Sequence, residues 1–130
     1  GAVPKIVLLG YVNDITEVLA KMSLCIHLSR GDAFPTATIE AMSAGIPVIM
    51  SNVTGTQEIV ASVDVSFVLP LDETELKNKI SNYFQLKIDE KKSLSDRFRK
   101  ASELYTEENA VAHYKRTFSS VLAAFDNPST

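Results

Sequence analysis

The chain has 130 residues, of which 45% are hydrophobic, and its formal net charge is −3. A chain of this length forms one domain or part of one, and this apolar content is enough for a buried core. The negative net charge argues against a nucleic-acid-binding surface. The lone cysteine, Cys25, excludes a disulfide framework, and the sequence contains neither a signal peptide nor an apolar run long enough to span a membrane. We therefore expect a cytoplasmic protein with no transmembrane segment.

The two halves of the chain differ in charge. Residues 1–64 carry three basic and six acidic side chains, whereas residues 65–130 carry ten of each. This difference predicts a weakly charged core that holds the site, followed by charged, solvated helices. The basic side chains between positions 91 and 100 are typical of a solvated helix face. Peripheral contact with a membrane is the less favoured interpretation of these side chains.

Short apolar runs alternate with helical patterns along the chain. The runs predicted to be buried strands are residues 6–9, 24–28, 47–50 and 65–69. The helical patterns begin after Asp14, at Thr36, after Gly55 and after Asp72, and continue over residues 87–104 and 107–125.

This alternation is typical of one fold class. It predicts an α/β protein with a Rossmann-like parallel sheet of about four strands and helices on both faces. We expect residues 1–130 to form a single domain that ends in a helical tail at about residues 89–126.

The stretch from Gly31 to Asn52 carries most of the chemistry. Pro35 suits the first position of a helix, and the hydroxyl of Thr36 suits its cap. Gly45 suits the left-handed residue that ends the helix. The amino end of this short helix directs free N–H groups and a positive dipole at the preceding loop, an arrangement typical of phosphate sites. Because loops that leave parallel strands meet at one edge of the sheet, we expect the site at that edge.

Two acids lie in this stretch, Asp32 in the loop and Glu40 about one turn into the helix. Glu40 fits both an acceptor for a diol and a solvated acid that favours the helix dipole. Asp32 fits both a site residue and an ordinary turn residue. A glycosidase with paired carboxylates is rejected, because the helix dipole favours an anion and the chain has no Trp to stack on a sugar.

Motifs between Gly10 and Val60 follow a known order. They are Gly10, Ser29, Asp32-Ala33-Phe34, Glu40-Ala41-Met42, Ala44 to Ile49, and Gly55 to Glu58. This order resembles the nucleotide-sugar-binding half of family 4 type retaining glycosyltransferases, which have the GT-B fold. The resemblance implies the donor-binding part of an enzyme that transfers a hexose from a nucleotide diphosphate to an acceptor.

The resemblance also implies roles for individual residues. Asp32 and Glu40 are the candidate catalytic residues. Glu40 is expected to accept hydrogen bonds from the ribose hydroxyls, and Asp32 is expected to lie near the donor sugar. Donor contacts are expected for Tyr11, Val12, Arg30, Phe34, Pro35, Thr36, Ala37 and Glu58. Arg30 and Glu58 fit local surface roles as well. Such enzymes hold the diphosphate without a metal, so we expect no cofactor beside the nucleotide sugar.

The chain departs from the pattern in several places. Asp32 replaces the usual Glu, and Ala33 replaces the usual Gly. The strand, helix, Gly-rich loop and basic side chains that open such a domain, and the separate acceptor-binding domain, have no counterpart here. We expect a C-terminal fragment that is inactive alone and whose exposed strand edge favours self-association. A GT-B relative such as a nucleotide-sugar epimerase, and a non-catalytic Rossmann-like interaction domain, remain the alternatives.

Overall fold

A computed structural model of the chain describes residues 5–31, 36–105, 115–116 and 118–124. Short helices and short strands alternate along most of its length. In chain order they are α1 (Ile15–Leu19), β1 (Cys25–His27), α2 (Thr36–Ser43), β2 (Val48–Ser51), α3 (Gln57–Val63), a 3-10 helix (Val65–Phe67), β3 (Val68–Leu69), α4 (Glu73–Gln85) and α5 (Ile88–Glu103).

The strands of the described residues form one parallel sheet in the order β1-β2-β3. Ile26 lies opposite Ile49, and Met50 lies opposite Val68. All four residues of β2 are buried. Because successive side chains of a strand point to opposite faces, both faces of the central strand are covered. The predicted α/β class, with a parallel sheet flanked by helices, is therefore confirmed.

The prediction of a strand at residues 6–9 is wrong. Ile6, Val7, Leu8 and Leu9 have no regular secondary structure, and their exposed fractions are 86%, 60%, 93% and 58%. A strand forms only when a neighbour pairs with its backbone N–H and C=O groups. Within the described residues no strand pairs with this segment, so the sheet there has three strands rather than about four.

The strand predicted at residues 65–69 is confirmed only at its end. Asp64 accepts hydrogen bonds from the backbone N–H of Ser66 at 2.9 Å and from its hydroxyl at 2.7 Å. This cap winds Val65–Phe67 into a 3-10 helix. The chain becomes extended at Val68, where β3 pairs with β2.

The predicted helix ends are confirmed at three positions. Asp14 caps α1 by accepting the N–H of Thr16 at 2.9 Å, and Asp72 caps α4 by accepting the N–H of Glu75 at 2.8 Å. Gly45 follows α2 with a φ of +77°, the left-handed conformation that glycine adopts without steric cost. These ends determine where each helix stops and the chain turns toward the next strand.

The core lies where α5 packs against α2 and α3. The ring of Phe98 is fully buried, and it meets the ring of Phe67 edge to face with 5.4 Å between centroids. The ring of Tyr83 meets the other side of this cluster, 6.5 Å from Phe67. α5 thereby holds α2 and α3 in their positions on the sheet.

The helix predicted at residues 87–104 is observed as α5. Residues 115–116 and 118–124 are also helical, within the helix predicted at residues 107–125. The rest of that predicted helix lies outside the described residues. In the part of the chain that the structure describes, no helix combines the length and the apolar character needed to cross a bilayer.

Candidate functional site

The carboxyl edge of the sheet collects the loops that follow the strands. α2 begins after the loop that leaves β1, and α3 begins after the loop that leaves β2. Because the strands are parallel, the amino ends of both helices lie at this edge. The topology thus brings Arg30, the first turn of α2 and the first turn of α3 to one side of the molecule.

α2 has a buried side and an exposed side. Thr38, Ala41 and Met42 face the core. Thr36, Ala37 and Glu40 are exposed. Residues three and four apart lie on the same side of a helix, so Glu40 shares a surface with the two residues of the first turn. The first turn of α2 contains no acid, and its positive dipole is therefore not neutralised from within the helix.

A buried hydroxyl joins the two loops at this edge. Ser51 Oγ accepts the backbone N–H of Ser29 at 3.0 Å and lies 2.7 Å from the carbonyl oxygen of the same residue. It also lies 2.8 Å from the hydroxyl of Thr54. Ser51 has one hydroxyl proton, so it donates to the Ser29 carbonyl and accepts from Thr54. We call these three residues the Ser29–Ser51–Thr54 cluster.

Two further hydrogen bonds from backbone N–H groups order the same edge. The N–H of Asn52 donates to the carbonyl of Leu69 at 2.8 Å, which ties the end of β2 to the end of β3. The N–H of Gly31 donates to Ser29 Oγ at 3.2 Å. The ends of β1, β2 and β3 are therefore held together by hydrogen bonds that involve the loops themselves.

Sequence reasoning did not single out Ser51 or Thr54 as site residues. The available signal was a serine at the end of each of two neighbouring strands. Whether such hydroxyls meet depends on the register of β1 against β2, and this register is a property of the folded sheet.

The remaining sequence-predicted residues lie in several places. Tyr11 is 91% exposed, and Val12 is half-buried in an irregular segment before α1. Arg30 is exposed in the loop after β1, and Glu58 is exposed in the first turn of α3.

Three residues of the predicted site are not described by the structure. Asp32, Phe34 and Pro35, together with Ala33 of the motif, lie outside the described residues. Their predicted contacts remain predictions.

The described residues offer little for a metal ion. Among them, His, Cys, Asp and Glu side chains do not form a group of three or more with the spacing of a metal site. Burial raises the pKa of the Cys25 thiol in β1, which disfavours the thiolate needed for nucleophilic attack. Cys25 therefore behaves as a packed, weakly polar side chain.

A separate groove of about 490 Å³ lies at the opposite, amino edge of the sheet. Ser23 before β1 and Pro47 before β2 form part of its wall, and Phe84 and Ile88 contribute exposed apolar surface. Lys91, Lys92 and Arg99 give it a basic character. Of the sequence-predicted site residues that the structure describes, none lines this groove.

The basic groups of the groove stabilise helix ends. Lys91 Nζ donates to the carbonyl of Phe84, near the end of α4, at 3.4 Å. Arg99 forms an ion pair with Asp96 at 3.0 Å, and its guanidinium borders Gly45 at the end of α2. Cations near the carboxyl ends of helices compensate unpaired carbonyls and the negative dipole, so much of this charge has a structural use.

Comparison with known proteins identifies the family. A family model described as "Glycosyl transferases group 1" matches residues 1–85, which is more than half of the chain. The chain belongs to the group 1 glycosyltransferases. Membership of this family agrees with the resemblance seen between Gly10 and Val60, and the matched residues include the whole carboxyl edge described above.

Curated relatives of this group 1 glycosyltransferase chain are much longer. N-acetyl-alpha-D-glucosaminyl L-malate synthase of Bacillus anthracis is 26% identical over 121 residues, which cover 91% of this chain and 31% of that protein. UDP-Gal:alpha-D-GlcNAc-diphosphoundecaprenol alpha-1,3-galactosyltransferase of Escherichia coli is 31% identical over 71 residues, which cover 55% of this chain and 18% of that protein.

A third relative is an exopolysaccharide phosphotransferase of Streptomyces coelicolor. It is 30% identical over 126 residues, which cover 93% of this chain and 13% of that protein. The chain thus spans less than a third of each of these three relatives. No solved structure matches it significantly.

Proposed function

We propose that this chain is the donor-binding part of a retaining glycosyltransferase, which transfers a hexose from a nucleotide diphosphate sugar to an acceptor. The observation that carries the proposal is the position of α2. This helix lies inside the matched residues, and the parallel sheet directs its amino end to the carboxyl edge.

The first turn of α2 supplies an anion site in the proposal. α2 has eight residues and no acid in its first turn. The free N–H groups and the positive dipole of such a helix end favour a diphosphate. In retaining transfer the nucleoside diphosphate is the leaving group, and its negative charge grows in the transition state. Donors that are already oriented stabilise that charge without reorganisation.

Glu40 binds the ribose in the proposal. Its carboxylate is exposed on the same side of α2 as Thr36 and Ala37. Four helical residues span about 6 Å along the axis, a distance comparable with that from a phosphate to its ribose diol. A carboxylate accepts two hydroxyl hydrogen bonds readily, so Glu40 suits the diol better than it suits the phosphate.

The other predicted contacts complete the donor site. Arg30 and Glu58 lie at the same edge as α2. Asp32, two residues after Arg30 in the sequence, adjoins the sugar in the proposal. The diphosphate is held without a metal ion. Arg30 is the single basic residue of the loop 28–31, so most of the charge compensation comes from parts of the full protein beyond this chain.

The full protein supplies the acceptor site. Each curated relative extends far beyond the segment it shares with this chain. The proposed enzyme acts in the cytoplasm and, where its acceptor is lipid-linked, works at the membrane surface.

Binding to the full-length protein tests this proposal. A panel of UDP-, GDP- and ADP-linked hexoses is titrated by calorimetry, and the product of the active donor is identified by mass spectrometry. We expect saturable binding of one nucleotide class and transfer of its sugar. Isomerisation of the donor without transfer would instead establish an epimerase, and failure of every donor to bind would contradict the proposal.

A matched pair of variants locates the site. Glu40→Ala is expected to weaken donor binding at least about tenfold, because both hydrogen bonds to the diol are lost. Glu73→Ala removes an exposed acid from α4, where Glu73 pairs with Lys77 at 2.8 Å, and should leave donor affinity unchanged. Equal effects of the two substitutions would show that Glu40 has no specific role.

A further inference from the structure

We infer that Ser51 is a positioning residue of the donor site, which sets the distance between the loop that carries Arg30 and the loop that leads to Glu58. The inference rests on the proposed function. Ser51 itself is completely buried at the end of β2, so it acts through its neighbours and does not touch the donor.

The hydrogen bonds of Ser51 reach both loops at once. Its Oγ accepts from the N–H of Ser29 at 3.0 Å and donates to the carbonyl of Ser29 at 2.7 Å. A side chain that binds both backbone groups of one residue fixes the position and the orientation of that peptide. Arg30 follows Ser29 directly, so the direction in which the loop leaves β1 depends on Ser51.

The second loop is held by the same oxygen. Thr54, which is also completely buried, donates its hydroxyl to Ser51 Oγ at 2.8 Å. Thr54 lies two residues before Thr56, the N-cap of α3, and four residues before Glu58. The start of α3 is therefore linked through two hydroxyls to the end of β1.

Other interactions order the second loop but do not reach Ser29. The N–H of Thr54 donates to the carbonyl of Ser51 at 3.1 Å, which holds Thr54 to the end of β2 only. The hydroxyl of Thr56 contacts Met50 Sδ at 3.5 Å, and sulfur is a weak acceptor. The sheet hydrogen bonds pair Cys25–His27 with Val48–Met50 and end before Ser29. Without the hydroxyl of Ser51, the half-buried N–H and C=O of Ser29 would lose their partners, and the loop would move to regain water or other donors.

The experiment compares two buried serines in the full-length protein. Ser51→Ala removes the link. Ser102→Ala removes a hydroxyl that is similarly buried, at 4% exposure. Among the described residues this hydroxyl donates to the Arg99 carbonyl of its own helix, at 2.6 Å. UDP, GDP and ADP are titrated against both variants and the wild type, and the thermal unfolding of each protein is recorded.

The expected result separates positioning from stability. Ser51→Ala should weaken binding of the preferred nucleoside diphosphate about tenfold, while Ser102→Ala changes it less than about twofold at a similar loss of thermal stability. Thr54→Val, which keeps the shape of the side chain, should show a smaller loss than Ser51→Ala because the bonds to Ser29 remain. This second variant keeps the test decisive if Ser51→Ala does not fold.

Three outcomes would overturn the inference. The first is wild-type affinity in Ser51→Ala, or in Thr54→Val where the serine variant does not fold. The second is an equal loss of affinity in Ser51→Ala and Ser102→Ala. In either case a loss in Glu40→Ala would leave the proposed function intact. The third is a wild-type protein that binds none of the three nucleotides, which would remove the proposed function together with the inference.

Discussion

The hydroxyl of Ser95 donates a hydrogen bond of 2.6 Å to the carbonyl of Gly45, and so joins the middle of α5 to the residue that ends α2. Gly45 also donates its own N–H to the carbonyl of Met42 at 2.9 Å. The carboxyl end of α2 is therefore anchored on α5. Because a helix is stiff, this anchor also determines where the amino end of α2 lies at the opposite edge of the sheet.

Gly45→Ala should destabilise the protein by about 2 kcal/mol or more, since two effects add. The φ of +77° is unfavourable for alanine, and its Cβ would lie 2.6 Å from Ser95 Oγ and 2.7 Å from Arg99 Nη2. Urea denaturation measures the change in the free energy of unfolding. Gly31→Ala is the control, because among the described residues no atom beyond the chain neighbours of Gly31 lies within 4 Å of its Cβ position. Similar losses in both variants would contradict this account of α2.

Phe98→Ala should cost about 3–5 kcal/mol, the range for truncating a large side chain inside a core. The ring of Phe98 is completely buried against Phe67. Phe84→Ala is the matched substitution, and we expect it to cost less than about 1 kcal/mol because Phe84 is 55% exposed. Chemical denaturation of both variants checks the prediction. A reversed order would show that α5 is not the element that holds the core.

Tyr83→Phe should lower the free energy of unfolding by about 1 kcal/mol at neutral pH. The phenol hydroxyl donates to the carbonyl of Ser23 at 2.9 Å and ties α4 to the segment before β1. Burial raises the pKa of Tyr83 above its ordinary value of 10.0. The folded state therefore resists ionisation. The contribution of the Tyr83 hydroxyl to the free energy of unfolding is complete below pH 10 and is lost as the pH rises through the raised pKa.

The pH profile distinguishes this effect from simple loss of packing. Thermal unfolding of the wild type and of Tyr83→Phe is recorded between pH 7 and pH 11. The difference in unfolding temperature between the two proteins should narrow above pH 10. The tyrosine of the wild type ionises more readily in the unfolded state than in the folded state, whereas the phenylalanine has no proton to lose. A gap that stays constant over this range would contradict the assigned role of the hydroxyl.

Asp64→Asn should destabilise the protein by about 1 kcal/mol at pH 7, because the carboxylate caps the 3-10 helix. Partial burial raises the pKa of Asp64. The hydrogen bonds from Ser66 and the charges of Lys79 and Arg97 lower it by more, so the net pKa lies below the ordinary value of 3.8. The stabilisation is present above that value and is lost as the pH falls through the lowered pKa.

Acid unfolding provides the measurement for Asp64. The difference in unfolding temperature between the wild type and Asp64→Asn should be constant from pH 7 to pH 5 and should shrink below pH 3.8. A difference that grows in acid would mean that the protonated carboxyl is the form that the fold prefers.

Local features were predictable because they depend on neighbours in the chain. The caps at Asp14 and Asp72, the left-handed Gly45 and the extent of α5 follow from side chains that reach backbone groups only a few residues away. Short continuous apolar runs located β1 and β2 for the same reason.

The failures arose where distant partners decide the structure. Residues 6–9 have the composition of a strand, yet they remain unpaired because no described strand lies beside them. The apolar run at Val65–Phe67 predicts a strand, but the carboxylate of Asp64 caps this segment as a 3-10 helix.

The sequence by itself determined the α/β class, the order of the elements from α1 to α5 apart from the 3-10 helix, and the glycosyltransferase motif around α2. Hydrophobic period, capping and motif spacing are local properties. Only the tertiary structure decided that Glu40 lies on the exposed side of α2 and that Ser51 joins the ends of β1 and β2. The physical reason is register. A hydroxyl at the end of one strand finds its partner only after parallel pairing has aligned that strand with the next.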